Sequence, residues 1–173
     1  MKILAIIAHP DDESVGLFTL LEQVKGIVLI NPFEEIDGRR VNELHSMAKD
    51  FDIKVEYFKK LFNWDDLSEI IINRGYTHVA VPYPDTHVAH RFVSSIGEAL
   101  VEQINRQKAD IGLINYRHLI YYSIDMSQAF VRPLPKHIVK AKRKHLIKYY
   151  PSQKELWLSN GKYWLFEGHV MVI

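Results

Sequence analysis

Apolar residues up to Asn115 fall into short continuous runs separated by longer amphipathic stretches. The runs have the length of β-strands and cover 2–8, 24–30, 53–58, 78–82 and 111–115. Between them, apolar residues recur at helical spacing, which predicts helices at 13–23, 39–51, 65–74 and 91–107. Apolar strands that alternate with helices are typical of a parallel sheet covered on both faces. We therefore predict a Rossmann-like three-layer α/β fold with a mostly parallel sheet, as a single domain spanning 1–173.

The pattern changes after Asn115. Segment 117–132 carries aromatic and aliphatic residues without a helical period, and two prolines then precede a predicted basic helix at 136–150. Further on, the pair Asn160-Gly161 separates two aromatic-rich segments. Asn-Gly is a common two-residue turn, so this part of the sequence predicts a β-hairpin.

Composition narrows the possible functions. The chain has 47% apolar residues, and its 22 Lys and Arg against 21 Asp and Glu leave a net charge of +1, so no global field attracts nucleic acid or an anionic membrane. Cysteine is absent, so any metal must be held by nitrogen and oxygen. No apolar run has the length of a membrane span, and the N-terminus lacks a signal peptide's cleavage site. We expect a soluble, cytoplasmic protein.

The first candidate for chemistry is the segment AHPDDE at 8–13, directly after the first predicted strand. In a doubly wound sheet, ligands bind just beyond the carboxyl ends of the strands. One alternative is that the acids cap the next helix and stabilise its positive end. A single acid is enough for that purpose. Placing His9 beside Asp11, Asp12 and Glu13 is favourable when a cation neutralises the acids, so the segment predicts a divalent metal site.

The second candidate follows the strand predicted at 78–82. His87 and His90 are three residues apart, on one face of a helix, and Asp85 precedes them. Taken alone, they are also explained as exposed histidines at a helix start. Because both segments follow strands of the same sheet, we predict that they form one shared site.

Together, AHPDDE and the later DTHVAH resemble the LmbE/PIG-L family of zinc-dependent N-acetylglucosamine deacetylases. Arg40 with Glu43 is similar to the family's RxxE, and Ser152-Gln153 after the lysine-rich helix is similar to its late SQ segment. The resemblance therefore covers nearly the whole chain. It implies the α/β fold already predicted and the removal of acetyl from an N-acetylated sugar or sugar conjugate, with a homo-oligomer as an open option.

The resemblance also implies a role for each matching residue. A Zn²⁺ ion would be held by His9, Asp12 and His90, although the same ligands accept other divalent metals. Asp11 would act as the general base for a metal-bound water, the nucleophile of the reaction.

Three further residues follow from the same match. His87 would be the general acid or the partner of the oxyanion, and Arg40 would contact the substrate. Asp85 is assigned to the substrate-binding set, where it would hold the imidazole of His87 in its useful tautomer.

Two departures from the family pattern keep an alternative open. Leu17-Phe18 stands where the family has a glycine pair, and bulk there would narrow the pocket. Val88-Ala89 replaces proline and aspartate between the histidines, which removes a carboxylate. The alternative is a catalytically impaired module that binds metal or sugar. A nucleotide-binding enzyme is less favoured, because no GxGxxG follows the first strand.

The predicted basic helix contributes five cationic side chains, which are Lys140, Lys142, Arg143, Lys144 and Lys148. Such a run usually forms a solvated face. At the mouth of the site, it would instead meet a phosphate attached to the sugar.

Overall fold

The computed structural model describes residues 1–58, 63–110, 117–125 and 127–172. Its strands are β1 (Ile3–Ile7), β2 (Val24–Ile30), β3 (Lys54–Phe58), β4 (His78–Pro82), β5 (His118–Tyr122), β6 (Arg132–Pro133), β7 (Phe166–Glu167) and β8 (His169–Val172). Its α-helices are α1 (Asp12–Gly16), α2 (Gly38–Asp50), α3 (Trp64–Asn73), α4 (Val88–Asp110), α5 (Lys136–Tyr149), α6 (Lys154–Ser159) and α7 (Lys162–Leu165). Two 3₁₀ turns cover Phe18–Gln23 and Pro151–Gln153.

The main sheet has six strands in the order β3-β2-β1-β4-β5-β8. Neighbouring strands are parallel except β8, which runs antiparallel to β5 at the edge. This order sets the carboxyl ends of β2, β1 and β4 side by side, and β1 in the middle is buried along its whole length. The predicted α/β fold with a mostly parallel sheet is confirmed.

Helices cover both faces of the sheet. Alternate side chains of β1 point to opposite sides, so Ile3 and Ile7 pack in one core with α2 and α5, whereas Leu4 and Ile6 pack in the other with α3 and α4. The three layers follow from this alternation. Within the part of the chain that the structure describes, no helix combines the length and apolar character needed to cross a bilayer.

Most predicted elements agree with the structure to within three residues at each end. The helix predicted at 13–23 is instead two short pieces, α1 and the turn Phe18–Gln23. It breaks where Gly16 passes the ring of Tyr122 so closely that a Cβ atom would overlap it. The strand predicted at 111–115 lies outside the described residues, and the strand that pairs with β4 is β5.

The predicted hairpin at Asn160-Gly161 is wrong, because these residues join α6 to α7. The aromatic side chains on either side bury themselves as parts of short helices. Trp157 is 1% exposed, and its indole N–H donates to the carbonyl of Tyr150 at 3.2 Å. The final strands pair elsewhere, β7 with β6 and β8 with β5.

The basic helix is solvated on one side only. Lys148 is exposed and pairs with Asp50 at 3.0 Å, at the C-terminal end of α2. Lys142 contradicts the expectation of a solvated face: it is fully buried, and its ammonium donates to Glu167 at 3.0 Å and to the Phe166 carbonyl at 3.0 Å. This buried ion pair ties β7 to α5.

Close packing of α4 on β4 gives a test of the fold. A methyl group at Gly97 would overlap the side chain of Val81. We expect Gly97→Ala to lower the free energy of unfolding by about 1 kcal/mol or more, because overpacking outweighs the gain in helix propensity. Urea unfolding measures the change. Gly38→Ala is the matched control, since nothing lies within 4 Å of its added methyl group; equal stability of both variants would contradict the packing.

Candidate metal centre

The turn after β1 is built by Asp12. The strand ends at Ile7, and Pro10 in the following turn has no N–H with which to continue the sheet. The carboxylate of Asp12 then accepts the backbone N–H groups of Ala8 at 3.0 Å and His9 at 2.9 Å. These bonds fold the chain back on itself and hold the His9 ring at the carboxyl edge of the sheet.

Two imidazoles from distant segments meet at this edge. His9 Nδ1 lies 3.2 Å from His90 Nε2, and oxygens of Asp12 lie 3.6 Å from each of these nitrogens. Zinc bonds of about 2.1 Å in tetrahedral geometry place ligand atoms about 3.4 Å apart. The donor set and its spacing therefore fit a divalent metal.

Each imidazole has a carboxylate behind it. Glu34 Oε1 lies 2.7 Å from His9 Nε2, and Asp85 Oδ2 lies 2.7 Å from His90 Nδ1. A carboxylate accepts a hydrogen bond from the N–H of the nitrogen it faces. In the neutral form of each ring, the other nitrogen then has its lone pair directed at the shared point. This is the arrangement that histidine ligands of metals have in proteins.

Glu34 was missed by the sequence analysis. It lies in the loop after β2, beside the end of β1. The side-chain amide of the buried Asn31 donates a hydrogen bond of 2.9 Å to its carboxylate. The other amide hydrogen of Asn31 goes to the carbonyl of Ala8 at 3.2 Å. An acid just after a strand that neighbours β1 was a usable signal, but it stands in no motif.

Asp85 has a different partner from the predicted one. Its carboxylate was expected to hold the imidazole of His87, and this is wrong. One oxygen faces the ring of His90, and the other accepts the backbone N–H of His87 at 2.7 Å. Both oxygens are thus engaged inside the protein. His90 therefore has a carboxylate partner in Asp85, although Val88-Ala89 provides none between the two histidines.

His87 completes a group of three imidazoles. Its ligand atom lies within 4.8 Å of those of His9 and His90, and its Nε2 is 4.0 Å from Glu34 Oε1. Its side chain is 46% exposed, so it borders the opening of the site. Burial and the neighbouring imidazoles lower its pKa, which favours the neutral ring at pH 7.

Asp11 is held by Arg40. The guanidinium donates to the Asp11 carboxylate at 2.9 Å and to the carbonyl of Pro10 at 3.2 Å. Arg40 reaches this loop from the first turn of α2, which begins where Asp37 caps the N–H of Arg39 at 2.8 Å. Burial raises the pKa of Asp11 above its usual range, and Arg40 opposes part of that rise.

The protein without a metal favours positive charge at this point. Burial alone would lower the pKa of both ligand-like histidines, but Asp12 raises that of His9 to about 9, and Asp12 with Asp85 raises that of His90 to about 10. Conversely, His90 and His9 lower the pKa of Asp12 in spite of its burial. The site is therefore electrostatically suited to a cation.

The acid at the end of the first motif faces inward. Glu13 is fully buried, and its carboxylate accepts the hydroxyls of Ser14 at 2.7 Å and of Tyr150. The Ser14 hydroxyl also lies 2.8 Å from His145 Nε2. His145 had no assigned role, because only the tertiary structure brings α5 against α1.

Other residues that carried the resemblance also meet. Glu43, one helical turn beyond Arg40, accepts the backbone N–H of Ser152 at 2.9 Å and its hydroxyl at 2.6 Å. Leu17 lies in the core, and Phe18 packs on His145 with ring centroids 5.2 Å apart. The bulk of this pair is thus directed at α5.

A comparison of the sequence with family models and with curated proteins finds no match. Solved structures do match. The conserved protein TT1542 from Thermus thermophilus has a TM-score of 0.66 at 17% identity, over 98% of this chain and 94% of that one. N,N'-diacetylchitobiose deacetylase from Pyrococcus horikoshii has a TM-score of 0.60 at 17% identity, over 99% of this chain and 83% of that one. A deacetylase of teicoplanin biosynthesis has a TM-score of 0.67 at 12% identity, over 94% of this chain and 89% of that one. These likenesses confirm the predicted resemblance at the level of the fold.

The buried His145 predicts how stability depends on pH. Burial, with the charges of Lys148 and Lys142, lowers its pKa from 6.5 to about 4. Between pH 6.5 and pH 4, the unfolded chain binds a proton at this histidine that the folded protein does not bind. Lowering the pH over this range therefore lowers the free energy of unfolding, by on the order of 3 kcal/mol in all. We expect His145→Gln to lose this part of the pH dependence in urea unfolding between pH 7 and pH 4 (about the range in which such a group titrates). His137 is exposed, and His137→Gln should keep the pH dependence of the wild type. If the free energy of unfolding depended on pH in the same way in both variants, the pH dependence would not come from His145.

Proposed function

We propose that the protein is a metal-dependent N-deacetylase that removes acetyl from an N-acetylated sugar or sugar conjugate. One observation carries the proposal: two imidazole nitrogens 3.2 Å apart face each other beside a buried carboxylate, and each ring is backed by an acid. The fold shared with structures described as deacetylases supports the same reaction.

His9, Asp12 and His90 are the proposed ligands. His9 and His90 contribute the facing nitrogens, and Asp12 is the buried carboxylate next to both. The ligand atom of His87 lies within 4.8 Å of those of His9 and His90, but its side chain is 46% exposed, so His87 is proposed for a role toward the substrate and not as a ligand. Zinc bound there would act as a Lewis acid on the amide carbonyl and lower the pKa of water to about 7.

Asp11 is the proposed base. It accepts a proton from the attacking water. Burial raises its pKa, and Arg40 opposes that rise and so favours the ionised form that a base requires. Asp11 then passes that proton to the departing nitrogen, so one carboxylate serves both steps. Arg40 fixes the Asp11 carboxylate with a hydrogen bond of 2.9 Å. A contact of Arg40 with the substrate stays part of the proposal.

His87 is proposed as the partner of the oxyanion. Its lowered pKa favours the neutral imidazole, which donates an N–H to the carbonyl oxygen as negative charge develops there. Of the two roles that the resemblance implied for His87, we therefore propose that of the oxyanion partner.

A groove beside the site suits the sugar. It has a volume of about 650 Å³ and is lined by the loop after β2, the first turns of α2 and Tyr57. Glu34 and Asn31 form the wall it shares with the metal centre. Phe33 is 51% exposed at this groove, and an aromatic ring of this kind packs well against the apolar face of a sugar.

The carboxylate behind His90 gives a test of the metal site. We expect Asp85→Asn to weaken zinc binding by about 10–100-fold, because the amide no longer fixes the tautomer of the ligand. Competition with a chromophoric chelator measures the affinity. Asp125→Asn is the control and should bind zinc as the wild type does, because the Asp125 carboxylate bonds to Ser127 and Gln128 and not to a histidine. Equal affinities in both variants would count against the proposed ligand geometry.

The base gives a test of the reaction. We expect Asp11→Asn to keep its zinc and to lower turnover by at least about 100-fold, the usual loss when a general base is removed. Acetate release from N-acetylglucosamine derivatives measures turnover, and metal analysis measures zinc. Wild-type protein stripped by a chelator should be inactive and recover with zinc. Loss of zinc from the variant would contradict the role of Asp11, and zinc-loaded wild type that binds sugar without releasing acetate would favour the binding module.

A further inference from the structure

The backbone of Asp11 has a conformation that needs support. Its φ is 132°, in a region that L-residues with a side chain rarely adopt. Such a conformation persists only where the surroundings hold it. Arg40 binds the side chain of Asp11, but the backbone N–H of this residue points elsewhere, to Glu13 Oε2 at 3.3 Å.

Glu13 is the centre of a buried hydrogen-bond cluster. Besides the Asp11 N–H, its carboxylate accepts the hydroxyls of Ser14 and Tyr150. Glu13 is 0% exposed, so its carboxylate depends on donors within the protein. An ionised carboxylate accepts only, and these donors together fix the direction in which its oxygens point.

Tyr150 is itself firmly placed. It is buried just beyond the end of α5, and its carbonyl accepts the indole N–H of Trp157 at 3.2 Å. Ser14, the other hydroxyl donor, is fixed by His145: because its hydroxyl donates to Glu13, it accepts from the N–H of that imidazole at 2.8 Å. The C-terminal part of the chain thus sets the orientation of Glu13.

We infer that Tyr150 is a positioning residue for Asp11, acting through the carboxylate of Glu13. The bond between the Asp11 N–H and Glu13 is the longest in the cluster, so it is the first to be lost when Glu13 turns. Tyr150 and Ser14 both donate to Oε1 of Glu13, whereas the Asp11 N–H donates to Oε2. Without the tyrosine hydroxyl, Oε1 keeps one hydroxyl donor, so the carboxylate is free to turn about it and to take Oε2 away from the Asp11 N–H. The effect on turnover rests on the proposed function, whereas the effect on the Asp11 backbone does not.

The chain offers a matched pair of variants for the test. Tyr150→Phe removes the hydroxyl that faces Glu13. Tyr149→Phe removes a hydroxyl from the preceding residue, where it donates to Asp50 at 2.7 Å and not to Glu13. The variant keeps the ring that packs on His145. Hydrogen exchange of the Asp11 amide, followed by NMR, reports on the backbone directly, and the amide of Ile6 in β1 reports on global stability.

We expect the Asp11 amide of Tyr150→Phe to exchange about tenfold faster, the size of one hydrogen bond, with the Ile6 amide unchanged. In the zinc-loaded variant we expect kcat to fall by about tenfold while KM and zinc content stay at wild-type values, because the substrate and metal contacts are untouched. Tyr149→Phe should match the wild type in every measurement. If Tyr150→Phe does not fold, Ser14→Ala removes the other hydroxyl donor and is measured in the same way.

Unchanged exchange of the Asp11 amide in the variant would overturn the inference, since Arg40 alone would then hold the residue. Equal acceleration at Asp11 and Ile6 would also overturn it, because Tyr150 would then act only on overall stability. If zinc-loaded wild type releases no acetate, the proposed function fails, and the exchange measurement still decides whether Tyr150 positions Asp11.

Discussion

The structure of the site depends on one buried carboxylate, that of Asp12. It folds the loop after β1 by accepting the N–H groups of Ala8 and His9, and it faces the imidazoles of His9 and His90. A buried carboxylate is unfavourable unless it is paired and hydrogen-bonded. Asp12 meets both conditions, and the same contacts bring the two histidines together. Loop geometry and affinity for a cation are therefore consequences of one interaction.

The surrounding protein is organised to keep this arrangement from relaxing. Asp85 and Glu34 hold the distal nitrogens of the two rings, and Arg40 holds Asp11. Behind them, the core between the sheet and α5 contains Glu13 with its hydroxyl donors. Polar groups in such a place are costly when a partner is missing and rigid when all partners are present. The rigid case is what a catalytic site requires, because its groups must stay in position while charge develops.

The same principle explains the role of the C-terminal half. Two cations of α5 are engaged elsewhere: Lys148 pairs at the C-terminal end of α2, and Lys142 is buried against Glu167. The contribution of this helix is internal, through His145 and through Tyr150 beyond its end, both of which reach the residues following β1. Ser152 donates its backbone N–H to Glu43 and thereby fixes this segment to α2.

The sequence by itself determined the central strands, the helices between them and the two clusters that face each other. These features follow from local rules: continuous apolar runs form buried parallel strands, and residues just after such strands lie at the binding edge of the sheet. The structure alone decided the partners within the site. Glu34 behind His9 and Tyr150 on Glu13 are contacts between segments far apart in the chain. Asp85 stands in the same motif as both histidines, but only the structure shows that its side chain faces His90 and not His87. Periodicity carries no information about these contacts, because side-chain direction and the packing of α5 on α1 exist only after the chain has folded.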